Sequence, residues 1–252
     1  MNRRLAYPYV AWLAGFVIIP ILFICYYGLT VDGHFTMSNV LAIFDEIHWV
    51  PLVLSIRLSG ICVLICLLVS IPLGLCLRQC RSRFLVFLFM MPMWMNTVLS
   101  ILAWKLLLST NGIFCRLFHI GSILNTQLAT EIGMVYDLLP FAIIPIHNAL
   151  SSIDERIIDA AYDLGADRFQ VLWRIILPEA KPGILSAVVM VFVPALTSFV
   201  ISDMLGGGKV SLIGNIIEQE FTNSMDWNLG SGLGMVLMVF VLLSTMLLRG
   251  GE

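Results

Sequence analysis

The residue best placed in this chain to meet a positive charge is Asp137, an acid set inside an otherwise uncharged apolar run. An aspartate at the centre of a membrane helix costs about 2.5–3.5 kcal/mol on the insertion scale, so it must face protein or water. Tyr136 stands beside it, and Trp94 and Trp104 lie in the preceding apolar run. Aromatic faces of this kind attract ammonium groups. Asp203, Glu218 and Glu220 add negative charge to a later connection. Each has a plainer reading. Asp137 can hold a structural hydrogen bond to another helix, tryptophans anchor helices at the membrane interface, and the later acids are either solvated or in contact with a second protein.

Other chemistry finds little support. The four histidines, His34, His48, His119 and His147, are scattered, and neither H-E-x-x-H nor G-x-S-x-G occurs, which argues against an intramembrane enzyme. Cys62/Cys66 and Cys76/Cys80 stand four apart on one expected helix, with no C-x-x-C and no accompanying histidine, so these thiols read as small apolar filling. Gly206-Gly207-Gly208-Lys209 imitates a phosphate loop, but the four-residue gap between glycines is missing and Val210 follows the lysine in place of Ser or Thr. No metal ligand set and no bound cofactor are expected. No lysine/arginine block exists to follow a nucleic-acid backbone.

The elements that must position these residues cross a bilayer. Of the 252 residues, 60% are hydrophobic and 12% charged, against about a quarter charged in an ordinary soluble domain. Six runs approach the length of a spanning helix, about 20 residues: roughly 9–29, 58–77, 84–104, 132–150, 182–202 and 227–248. Backbone groups in lipid must bond internally, so the expectation is an all-α polytopic protein, a single domain over 1–252. Arg3 and Arg4 resemble the start of a signal peptide, yet the run behind them is too long for one and reads as a retained first helix. Arg3, Arg4, Arg78, Arg81, Arg83, Arg156, Arg168, Arg174, Lys181 and Arg249 fall on one side; Arg57, Lys105, Arg116 and Lys209 fall on the other. Positive charge stays inside, which puts both termini in the cytoplasm. Prolines at 20, 72, 92, 140, 145 and 194 lie within five of the runs, as bends or as the ordinary excess of proline in membrane helices.

The cytoplasmic connection 151–183 carries its own pattern. Ser152 with Glu155 has capping-box spacing, and Ile157, Ala160, Ala161 and Leu164 then recur on one helical face. Gly165 suits a left-handed stop. Asp167 with Gln170 opens a second helix whose apolar face is Phe169, Leu172, Trp173 and Ile176, limited by Pro178. Two short amphipathic helices joined at a glycine make a knob for a partner protein, the paired alanines permitting close approach. The competing reading is a helix resting on lipid headgroups. Such helices favour basic residues on the polar face, whereas Asp154, Glu155, Asp159 and Asp163 dominate here.

Asp159-Ala160-Ala161, Gly165, Ile175, Leu177 and Pro178 match the pattern E-A-A-x3-G-x9-I-x-L-P at every spacing, with aspartate for the usual glutamate. The segment resembles the coupling loop of the binding-protein-dependent ABC importer permeases. Most of the chain is similar to the polyamine branch of that family, through MPMWMNTVLSILAW (91–104), VYDLLPFAIIP (135–145) and SDMLGGGKVSLIGNIIEQEF (202–221). Ser100 stands where that branch commonly carries arginine.

The resemblance implies a type I importer permease fold in a bacterial cell membrane. It implies a non-catalytic subunit that passes spermidine or putrescine from an external binding protein, paired with a second related permease. ATP and Mg would be bound by a cytoplasmic ATPase dimer docked on the loop. The substrate pathway would include Asp137, Tyr136, Trp94, Trp104 and Asp203. Importers of iron, molybdate or sulfate share the loop. An ion-coupled secondary transporter, with Asp137 as relay, is the reading from another class; it lacks the internal repeat usual there.

Overall fold

Proline, asparagine and threonine decide where several helices stop. The computed structural model describes residues 12–79, 83–119 and 121–249. Besides the short helical turns Ser38–Leu41, Ala42–Phe44 and Met91–Trp94, the helices are α1 (Ala14–Gly28), α2 (Glu46–Gln79), α3 (Arg83–Met90), α4 (Thr97–Leu108), α5 (Ile113–Phe118), α6 (Gln127–Ser152), α7 (Glu155–Asp163), α8 (Arg168–Glu179), α9 (Lys181–Leu196), α10 (Phe199–Gly206), α11 (Ile213–Thr222) and α12 (Trp227–Arg249). The strands among the described residues are a two-residue pair, Thr30–Val31 against His34–Phe35, turned at Asp32 and Gly33. Both turn residues have positive φ, 50° and 81°, the geometry that matches strand twist in a tight hairpin.

The core is a three-helix assembly of α2, α6 and α9. Leu58, Cys62 and Cys66 of α2 meet Met134, Ile146 and Leu150 of α6 and Ala187 and Val191 of α9 in one buried cluster. A smaller cluster joins Leu52, Leu196, Ile213 and Leu233, and α1 packs along α12. With 34 residues, α2 extends about 51 Å at 1.5 Å per residue, well beyond the roughly 30 Å of bilayer hydrocarbon. Arg57, expected in a connection, therefore lies within a helix.

Among the described residues four helices are long and apolar enough to cross a membrane, namely α2, α6, α12 and the stretch Thr97–Leu117 taken as one through α4 and most of α5, or five if α8 and α9 count as one span bent by 63°. The expectation of six continuous spans is revised in three places. The first run begins outside the described residues, as do Arg3 and Arg4, and its described part, α1, is short for a crossing. The third run is divided: Pro92 lies in a single tight turn, Met91–Trp94, Met95 is extended, and Asn96 starts α4 by accepting the N–H groups of Val98 (2.9 Å) and Leu99 (3.3 Å). The fifth run is divided after Leu196. Pro194 supplies no N–H, and the Thr197 hydroxyl donates to the carbonyls of Val193 (3.2 Å) and Pro194 (3.3 Å), which terminates the ladder before α10.

A polar latch closes the end of the bundle that carries α10 and α11. Buried Asn215 accepts from the Leu212 N–H (3.0 Å) and from the Ser202 hydroxyl, and donates to the Phe199 carbonyl (3.1 Å). The Ile213 N–H donates to Ser55 on α2 at 2.8 Å. The glycines at 207 and 208 turn the chain here with φ of 57° and 76°, the Gly207 N–H donating to the Asp203 carbonyl at 3.1 Å.

Candidate functional site

The loop between α6 and α9 forms a knob with defined joints. Helix α6 runs on to Ser152, whose hydroxyl donates back to the Ala149 carbonyl at 2.8 Å. Ser152 is therefore not the cap. Asp154 is, its carboxylate accepting from the Arg156 N–H at 3.0 Å. Ile153, one residue before that cap, is buried in the main cluster, and Ile158 packs against the same cluster, the arrangement of a hydrophobic staple. The Arg78 guanidinium at the end of α2 donates to the Ile153 carbonyl at 3.1 Å. Three elements thus meet where the knob begins.

Helix α7 ends as Gly165 requires. With Gly165 at φ +84°, its N–H donates to Tyr162 (2.9 Å) and the Ala166 N–H donates to Ala161 (3.0 Å), the paired bonds of a Schellman stop. Asp167 and Gln170 then form the reciprocal capping box of α8, at 2.6 and 3.2 Å. The alanine pair is divided: Ala160 is exposed and Ala161 buried. Only Ala160 lies on the open surface.

The single apolar face expected on α8 is divided as well. Residues Leu172–Ile176 form one wide π turn, and the extra residue per turn rotates the face. Val171 is buried and Ile176 packs on the core, while Phe169 and Trp173 point outward with ring centroids 5.9 Å apart. Pro178 does not end the helix; it sits in its final turn, before the break at Ala180. Asp159 is exposed, and Ile175 and Leu177 are half-buried. The knob consequently shows Leu164 (89% exposed), Phe169 (67%) and Trp173 (58%) beside four acids. Exposed apolar groups of this size, rimmed by charge, mark a surface that another body covers.

The polar site inside the bundle gathers on α6 and α4. Trp104 and Tyr136 meet edge to face, centroids 5.5 Å apart. Asp137 is half-buried on the same helix, next in sequence to Tyr136. Trp94 does not join them: it packs against Phe87 (6.1 Å) and is 78% exposed. Asp203 is exposed near the end of α10 and lies outside the recess lined by Trp104 and Tyr136.

Sequence reasoning passed over Glu131. It precedes the apolar run that begins at 132 and reads there as a connection residue. The structure starts α6 at Gln127, capped by the Thr126 hydroxyl, which accepts from Ala129 N–H at 3.2 Å. Glu131 is thereby buried at 9% exposure, with no hydrogen-bond partner for either carboxylate oxygen. Thr126 with Gln127 opening the pattern was the signal that could have revealed it.

Comparison with known proteins agrees with this architecture. Residues 67–249 match the family profile described as "Binding-protein-dependent transport system inner membrane component". The chain is 37% identical over 250 residues to the spermidine/putrescine transport system permease protein PotB of Haemophilus influenzae, covering 92% of this chain and 87% of that protein. It is 34% identical over 247 residues to the PotB of Escherichia coli, covering 91% and 90%. In fold it is similar to a chain of a bacterial alginate ABC transporter solved with an alginate-loaded periplasmic protein, with TM-score 0.82 at 17% identity over 97% of this chain and 91% of that one. A chain of the MetNI methionine ABC transporter aligns with TM-score 0.59 at 17% identity, covering 82% and 94%. A profile match over most of the length, relatives above one-third identity and a bundle of bilayer-length helices agree: the chain belongs to the inner membrane components of binding-protein-dependent transport systems, a family of multi-pass ABC importer permeases.

Proposed function

We propose that this chain is a permease subunit of an ATP-driven importer of polyamines. The observation that carries the reading is its 37% identity, across nearly the whole length of both chains, to a spermidine/putrescine permease. Asp137 gives a carboxylate within α6, and Tyr136 beside it in sequence with Trp104 gives π faces, for the passage of an ammonium group. The chain itself carries no catalysis in this reading. Hydrolysis belongs to a cytoplasmic ATPase pair that holds ATP and Mg and seats on the knob from Asp159 to Pro178. A second, related permease completes the route, a binding protein delivers substrate from outside, and both termini are cytoplasmic.

The exposed Leu164, Phe169 and Trp173 support the docking role, since partner surfaces are built around such anchors. The test is uptake of radiolabelled spermidine and putrescine by the reconstituted complex, competed with iron, molybdate and sulfate. Uptake displaced only by polyamines is expected. Uptake displaced by an inorganic ion, or its persistence without the ATPase, would refute the reading.

A further inference from the structure

A cavity of about 990 Å³ opens between α1 and the turn that joins α11 to α12, and no residue of α4, α6 or the knob lines it. That volume is at the top of the usual range for ligand pockets, about 300–1,000 Å³. One wall is a stripe of α1, with Ile19, Pro20, Phe23, Ile24 and Tyr27 at helical spacing. The other wall is polar and firmly built. The Ser224 N–H donates to the Gln219 carbonyl at 3.1 Å and the Asp226 N–H to the Glu220 carbonyl at 2.9 Å. Met225 between them is held at φ +53°, a left-handed conformation that costs a non-glycine residue about 1–2 kcal/mol. The Asp226 carboxylate caps α12 through Oδ1 alone, accepting from the N–H groups of Asn228 (3.1 Å) and Leu229 (2.9 Å). Among the described residues no ion pair engages it.

The place of this cavity narrows what fills it. Residues Trp227–Leu247 of α12 are long and apolar enough to cross a membrane, so the first turn of that helix lies at a bilayer boundary. Tryptophan and tyrosine gather at headgroup level there, and Trp227, edge to face with Phe221 at 5.7 Å, and Tyr27 both line the cavity. A greasy wall facing a polar one at this depth suits an amphiphile. Charge selects its head. Asp226 is the one charged group among the described residues that line the cavity; it repels an anionic headgroup and attracts an ammonium. Ser224, Asn228 and Tyr27 carry donors for the oxygens of a phosphate. A free polyamine is served less well, since it brings two or more ammonium groups to a single carboxylate.

We infer that the cavity between α1 and the first turn of α12 is a binding site for one phospholipid with a primary ammonium head. The ammonium meets Asp226, the phosphate meets Ser224 and Asn228, and hydrocarbon rests against Ile19, Phe23 and Ile24. A lipid seated there ties α1 to the bundle at the point where the polar turn meets it. The inference needs only a chain that lies in a bilayer and stands apart from the choice of transported solute.

The test uses the complete complex in nanodiscs that hold equal amounts of phosphatidylethanolamine, phosphatidylcholine and phosphatidylglycerol with the same acyl chains. Native mass spectrometry then counts the lipids that each complex retains. The wild type should keep phosphatidylethanolamine over phosphatidylcholine, whose trimethylated head has no N–H to give, by about fivefold, the worth of one partly exposed ion pair. Asp226→Asn removes the charge and keeps the helix cap, since asparagine caps as well as aspartate; it should erase that preference. Trp227→Leu should lower retention of both zwitterionic lipids. Equal preference in the wild type and Asp226→Asn, a preference for phosphatidylglycerol, or failure of Asp226→Asn to assemble would overturn the inference and leave Asp226 a cap alone. So would a photoreactive residue in place of Phe23 that cross-links to a second permease and to no lipid, which would give the groove to protein.

Discussion

At Gly165 the backbone turns with φ of +84°, and an added Cβ would meet nothing within 4 Å. The cost of a side chain there is conformational alone, about 1–2 kcal/mol for a residue forced left-handed. Gly165→Ala should lower uptake several-fold with little change in the thermal stability of the bundle, and Gly165→Asn, which tolerates that conformation, should keep most of the activity. Parallel uptake and melting measurements check this. For Asp137 the expected result is a fall in polyamine uptake of fivefold or more in Asp137→Asn, with normal assembly; wild-type rates would remove it from the pathway. The fixed spacing from Asp159 to Pro178 was legible at this scale because glycine stops and capping pairs act over a few residues. Ser152 misled because its role depended on how far α6 continued. Glu131 escaped because burial is decided by neighbours from α2 and α4, which no local pattern records.

Two contacts set the stance of the helices that carry the knob, one at its root and one between α6 and α9. Arg78 holds the Ile153 carbonyl at 3.1 Å from the end of α2. A hydrogen bond from a charged donor is worth about 1.5–3 kcal/mol when well enclosed, and less here because Arg78 is only half-buried. Arg78→Ala should therefore slow uptake two- to fivefold at unchanged assembly, read as rate per complex. Gly183 lets α9 approach α6 closely: a Cβ there would lie 2.8 Å from the Pro145 carbonyl oxygen and collide with Ala149. Backbone must move to admit it, at about 1–3 kcal/mol for an overpacked core. Gly183→Ala should lower the melting temperature of the purified complex and weaken uptake together. The apolar stretches announced most of these helices. Their interruptions at Met95 and Thr197 were hidden, because hydropathy does not register an Asn96 cap or a Thr197 hydroxyl turned on its own backbone.

As a whole, the molecule offers a buried three-helix centre, broad apolar flanks and one acidic, aromatic knob. In the proposed assembly the flanks would meet lipid and the second permease; the knob projects Phe169 and Trp173 away from the core. Losing two aromatic anchors from one interface typically costs more than 2 kcal/mol, roughly thirtyfold in affinity. Phe169→Ala with Trp173→Ala should abolish co-elution of the ATPase while the permease still inserts and pairs, which pull-down from solubilised membranes would show. Unaltered co-elution would place the ATPase elsewhere. The class of fold was evident from composition, since 12% charged residues cannot cover a water-facing surface.

The 63° bend between α8 and α9 pivots on Ala180, which has no exposed surface. An elbow so tightly seated has no slack in which to lose a thrust. In the proposed docking role, pressure along the outer arm would become a sideways swing of the inner one, with the break at Thr197 as its limit. Beyond that joint the Asn215 hydrogen bonds would hold the far segment as a fixed bearing to the near one's crank.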